Sequence, residues 1–179
     1  MNGAEAFMTA RGGWTPQPEP PTQSSESVSA LYLHGAQLVV ASDPTEIITI
    51  LGSCVAVCVW DATARVGGMN HFMLPFEAGA QLSPARYAKS ATATLLVDVA
   101  IAGASLARLQ AKIFGGACMM AAFRAAANDL GTQNVEAARR ILASAGVPII
   151  AEDVGGSYGR KLIFRTDTGV AMVKKLSGS

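Results

Sequence analysis

With 179 residues and a formal net charge of +1, the chain has the size of one domain, and a large multidomain machine is excluded. Half of the residues are hydrophobic while only 6% are aromatic and 15% charged, so the chain can bury a core and is not disordered as a whole. No Lys/Arg block and no basic amphipathic stretch occurs, so neither nucleic acid nor a membrane surface is expected as a partner.

The first segment holds Glu5, Pro16, Pro18, Pro20 and Pro21 and then Thr22 to Ser27, without a continuous apolar run. It is not expected to act as a secretory signal, and residues 1–29 are expected as a disordered Pro/Ser-rich tail ahead of a folded domain at 30–179. Leu38–Val40, Ile47–Leu51 and Val55–Trp60 are short β-branched runs bounded by Asp-Pro and Gly-Ser, which predicts successive strands. Ser83-Pro84 predicts a helix start, with Tyr87, Ala91, Leu95 and Val99 recurring every four residues until Gly103. Leu109–Phe114 reads as a strand that ends at Gly115-Gly116. Asn134 is expected to cap a second helix with Val135, Ala138, Ile141, Leu142 and Ala145 on its apolar face, stopped by Gly146 and Pro148. Strands at Val147–Ala151, Leu162–Thr166 and Val170–Leu176 follow, the last two joined as a hairpin by Asp167-Thr168-Gly169. The pattern predicts a single-domain α+β fold with two main helices packed on a mostly antiparallel sheet. No segment approaches the ~20 apolar residues of a membrane span.

Three cysteines in a chain of this length make no disulfide framework and point to a reducing compartment or to chemistry, so a cytoplasmic location is expected. If Trp60 pairs with Arg65 across a four-residue loop, Cys54 faces His71 on the neighbouring strand. A thiol beside an imidazole makes a nucleophile with its base, and the imidazole can hold the sulfur as thiolate. Gly52 and Ser53 would let backbone amides approach a developing oxyanion. The other reading makes Cys54 a small buried hydrophobe and His71 a satisfied core histidine.

Cys58 lies too far along the same strand to share a disulfide or a metal ion with Cys54. Cys118 is expected in the core and His34 on the surface, and no metal site is expected. Gly115-Gly116 and Gly155-Gly156 match no phosphate-binding spacing; they read as tight turns or as walls of a cleft. Glu152 and Asp153 either orient His71 or cap a turn.

Thr49-Ile50-Leu51-Gly52-Ser53-Cys54 through Cys58, together with Gly68-Met69-Asn70-His71-Phe72-Met73-Leu74-Pro75, resembles the CheD family of chemoreceptor glutamine deamidases. Phe114 to Ala117 with Met119, Gly131 with Asn134-Val135-Glu136, and Glu152 to Gly156 followed by Gly159-Arg160-Lys161 resemble further blocks of that family in the same order. The resemblance runs from about Leu31 to Leu176 and implies a catalytic Cys54, a base His71 and a third member Thr49. It implies the α/β sandwich also seen in cysteine deamidase toxins. It further implies hydrolysis of glutamine side chains on methyl-accepting chemotaxis proteins, without a cofactor. Family members also partner the CheC phosphatase, so a regulatory docking module is the alternative. A papain-like peptidase fits less well, because that family places its histidine far downstream of its cysteine.

Overall fold

Val55, Val57 and Val59 are fully buried, and so are the intervening Ala56 and Cys58. Since successive residues of a strand point to opposite faces, the sheet that contains this run must be covered on both sides.

The computed structural model describes residues 28–77, 83–118 and 129–176. Most of the segment expected as a tail, and Met119 of one family-like block, lie outside them. Among the described residues the chain order is β1 (Ser29–Tyr32), β2 (Gln37–Ala41), β3 (Thr45–Leu51), β4 (Val55–Asp61), β5 (Val66–Phe72), α1 (Ala88–Ile101), β6 (Gln110–Gly115), α2 (Leu130–Ser144), β7 (Ile149–Val154), β8 (Gly159–Arg165) and β9 (Ala171–Leu176). β4 is the middle strand of a five-stranded sheet ordered β2-β5-β4-β6-β7. Its odd-numbered valines pack with Ala91, Leu95 and Val99 of α1 and with Val135, Ala138 and Leu142 of α2. Its even face packs, with Met69 and Phe114, against Ile47, Leu51, Leu162 and Phe164. Those four residues belong to a second sheet, ordered β1-β3-β8-β9. The fold is thus an α+β sandwich of three layers, with helices on one face of the central sheet and a smaller sheet on the other. Pairing is mostly antiparallel; β1 with β3 and β6 with β7 are parallel.

Three details differ from the sequence reading. Ser83-Pro84 opens only a 3-10 turn over Pro84–Arg86, and Tyr87 is extended before α1 begins. The cause is backbone pairing, since the Met73 and Leu74 amides donate to the Arg86 carbonyl and the Ala88 amide to that of Leu74. α2 begins at Leu130 rather than after Asn134, because Asp129 is the N-cap and accepts from the Thr132 amide at 3.2 Å. Asn134 is fully buried instead.

The third difference is the hairpin register. Asp61 pairs with Val66, so Ala56 and not Cys54 lies opposite His71. The loop still has four residues but closes one position later than expected, and Asp61 is the reason. Its buried carboxylate accepts from the amides of Thr63 (2.9 Å), Ala64 (3.2 Å) and Ser105 (2.8 Å) and pairs with Arg108 at 2.8 Å. Arg108 is the main influence holding that carboxyl well below the usual carboxylate range. The ladder past Gly67 and Gly68 is unbroken. A β-carbon on Gly68 would stand 2.9 Å from Leu95 Cδ1, so the bare backbone there lets α1 sit close. No helix among the described residues is long and apolar enough to cross a membrane.

Replacing Asp61 with Ala strands three amides and one guanidinium; the expected outcome is a Tm lower by roughly 5–10 °C in differential scanning calorimetry. An unchanged Tm would mean that Asp61 does not set the turn.

Candidate active site

β3 belongs to the smaller sheet and β4 to the larger, so the connection at residues 52–54 is where the chain crosses between layers. Gly52, Ser53 and Cys54 are half-buried there. Their three carbonyls are all taken: Gly52 accepts from the Ala117 amide (2.8 Å), Ser53 from Asn134 Nδ2 (3.0 Å) and Cys54 from the Gly116 amide (2.8 Å). Cys54 precedes the first ladder pair, Val55 with Phe72. It therefore takes the diagonal place relative to His71, where positions in a regular ladder stand ~7–8 Å apart.

His71 projects from β5 into the space between the sheets and is 6% exposed. Thr49 projects from β3 on the opposite side of that space, and its Oγ1 lies 2.9 Å from His71 Nδ1. The same hydroxyl donates to the Leu33 carbonyl at 2.7 Å. A hydroxyl has one proton. With that proton on Leu33, Thr49 must accept from Nδ1–H, which leaves the lone pair on Nε2, the nitrogen a general base needs. Nε2 faces Gly35, where an added β-carbon would stand 3.9 Å from it.

Burial lowers the pKa of His71 to about 4, with the nearby His34 adding to the effect and the Leu33 carbonyl opposing it. Burial also pushes the Cys54 thiol up, against its own backbone amide, which favours the thiolate. Each group therefore favours its neutral form at neutral pH. Desolvation penalises both charges, so burial acts against the thiolate–imidazolium pair suggested by the sequence. Burial pushes the Cys58 thiol much further up, and Cys58 sits in the core between the sheets.

Of the glycine candidates, Gly116 spends its amide on the Cys54 carbonyl, so that amide positions the loop and is not free for an oxyanion. Gly115 approaches the same loop so closely that a β-carbon on it would stand 2.3 Å from the Cys54 carbonyl oxygen. Gly116, Gly155 and Gly156 line a cavity of about 360 Å³ together with Cys118, Asp129, Thr132 and Ser157. Cys118 is half-buried at this cavity rather than in the core, and His34 is exposed as expected. Glu152 and Asp153 are committed elsewhere, to Arg139 at 2.7 Å and to Arg160 at 2.9 Å, so Thr49 and Leu33 orient His71 instead. Among the described residues no cluster of three or more His, Cys, Asp and Glu is placed to hold a metal ion.

Asn134, expected as a helix cap, and Arg160, noted only within a family-like block, both hold the loops around this site. Asn134 donates from Nδ2 to Ser53 and also to the Met73 carbonyl at 3.0 Å. Its signal was a polar residue four positions before Ala138 and eight before Leu142, on the stripe that faces the core. The fully buried Arg160 donates to Asp153 and to the Gly155 carbonyl (2.8 Å), tying down the Gly155-Gly156 turn.

Residues 73–175, more than half of the chain, match the family described as CheD chemotactic sensory transduction. "Probable chemoreceptor glutamine deamidase CheD 1" of Anaeromyxobacter dehalogenans is 52% identical over 146 residues, covering 82% of this chain and 84% of that protein. "Chemoreceptor glutamine deamidase CheD" of Thermotoga maritima is 41% identical over 140 residues, covering 78% of this chain and 87% of its own. A Stenotrophomonas maltophilia protein with the same name preceded by "Probable" is 43% identical over 147 residues, covering 82% of this chain and 73% of its own.

The His71 environment predicts a pH-dependent stability. The unfolded chain takes up a proton near pH 6.5 while the folded one does so only near 4, so stability is full above the upper value and falls as pH drops through this window. The loss is about 3 kcal/mol at its limit. Denaturant unfolding at pH 7 and pH 4.5 should show a larger loss for the native chain than for His71→Gln; equal losses would mean that His71 carries its charge in the fold.

Proposed function

The chain belongs to the CheD family, and from that premise we propose that it hydrolyses the side-chain amide of glutamines on methyl-accepting chemoreceptors to glutamate and ammonia. Cys54 is the nucleophile, His71 the general base and acid, and Thr49 the residue that orients His71. The observation that carries this reading is the Leu33–Thr49–His71 chain of hydrogen bonds, which directs a basic lone pair to Nε2.

The steps balance with the residues named. His71 Nε2 takes the Cys54 thiol proton as sulfur attacks the carboxamide carbon, and the carbonyl oxygen becomes an oxyanion. Because the carbonyls of Gly52 and Ser53 are tied toward Ala117 and Asn134, the amides of Ser53 and Cys54 point the other way across their planar trans peptides. Those two amides, rather than Gly116, are the oxyanion donors of this reading. The imidazolium then protonates the departing nitrogen, ammonia leaves, and a thioester remains. Water gives a proton to His71, its oxygen attacks the thioester, and Cys54 leaves with that proton; the carboxylic acid so formed releases its own proton to solvent as glutamate.

All three cysteines are free thiols, which suits the cytoplasm, where the substrate's adaptation sites are expected. Docking on a CheC phosphatase is compatible with hydrolysis, since a protein interface uses ~800 Å² per partner and not one thiol. The catalytic unit is taken as residues 30–179.

Cys54→Ala should abolish ammonia release and the gain of about one dalton in a receptor fragment, while Cys58→Ala and Cys118→Ala retain activity at normal fold. Ammonia release by folded Cys54→Ala at the native rate would remove the nucleophile. Since neutral imidazole is the working form and its pKa is about 4, kcat/KM should hold down to about pH 5 and fall through pH 4. A limb at pH 6.5 in the pH profile would show a solvated base instead.

A further inference from the structure

Asn134 stands in the second turn of α2 and is fully buried. Its Nδ2 sits 3.0 Å from two carbonyl oxygens, those of Ser53 and Met73. Two oxygens on one side fix the amide orientation, because only nitrogen donates. One carbonyl precedes Cys54 and the other follows His71 by two residues, so a single side chain holds the ends of the two segments that carry the thiol and the imidazole. Its Oδ1 is buried without a hydrogen-bond partner among the described residues.

The helix is brought to this place by two bare backbones in contact. A β-carbon on Gly131 would stand 2.4 Å from the Gly116 carbonyl oxygen, and one on Gly116 would stand 2.4 Å from Val135 Cγ2. Gly131 and Asn134 lie three residues apart on one helix face. The same contact that seats α2 on Gly116 therefore delivers the carboxamide to the Cys54 loop.

We propose that Asn134 is a positioning residue of the hydrolytic site, which sets the separation of Cys54 from His71 and aims the Cys54 amide by holding the Ser53 and Met73 carbonyls. The proposal rests on the catalytic reading of Cys54 and His71. Asn134→Asp keeps the shape but turns an acceptor toward both carbonyls. A displacement of about 1 Å in a reacting group costs about 10²-fold, so kcat on a receptor fragment should fall by that order while KM stays within about threefold.

Coupling to His71 separates positioning from scaffolding. The rate of Cys54 alkylation by iodoacetamide at pH 8, read by peptide mass spectrometry, is measured in the native chain, Asn134→Asp, His71→Ala and the double variant. The expected result is a loss of about tenfold from Asn134→Asp when His71 is present and less than twofold when it is absent. Equal effects in both backgrounds, or a kcat within threefold of native in the folded variant, would overturn the proposal. If Asn134→Asp does not fold, Asn134→Ser, too short to reach both carbonyls, takes its place with the same expectations. The alkylation cycle reads the Cys54–His71 coupling without any hydrolysis, so ammonia release by Cys54→Ala would defeat the catalytic reading while the cycle still decides whether Asn134 couples the two residues.

Discussion

The burial of β4 on both faces is the constraint from which the rest of the molecule follows. A strand with valines on one side and Ala56 and Cys58 on the other leaves no face for water, so helices must cover one side and a second sheet the other. Once a second sheet exists, the chain has to pass between layers. It does so at residues 52–54, immediately before β4. Such a crossing cannot take its hydrogen bonds from a ladder, and its carbonyls must find partners elsewhere. They find them in the Gly116–Ala117 backbone and in the carboxamide of Asn134.

Burial in this arrangement favours the neutral forms of both the Cys54 thiol and the His71 imidazole. The interlayer space is apolar enough to lower the His71 pKa to about 4 and to raise that of Cys54. A preformed ion pair would gain Coulomb energy but would also require two desolvated charges, and here desolvation is the larger influence on both groups. The Thr49 hydroxyl supplies what such a neutral pair needs. It settles the tautomer of His71 through a proton already committed to Leu33, and it does so from the opposite sheet, so the orientation of the imidazole depends on the two layers staying packed.

The glycines serve close approach as much as turning. Gly115 and Gly116 have φ of 106° and 66°, in the region that disfavours other residues. At both positions a side chain would also collide, with the Cys54 carbonyl in one case and with α2 in the other. The strand end, the crossing loop and the helix therefore meet at close quarters, which stiffens the loop that carries Cys54.

What the sequence by itself determined is local: the strand runs, the stop of α2 at Gly146, the β8–β9 hairpin, and a Gly-Ser-Cys corner ahead of a strand with a histidine on the next one. These rest on side-chain periodicity and turn chemistry, which act over a few residues. Tertiary structure decided the rest. The hairpin closed at Asp61 because Ser105 and Arg108, more than forty positions away, complete the cage around its carboxylate. Thr49 stood out only by resemblance, since its pairing with His71 spans two sheets. Asn134 looked like a cap because Ser, Thr, Asp and Asn favour helix starts. Its place against Ser53 and Met73 depends on α2 resting on Gly116, a contact between segments that no periodicity within either one encodes.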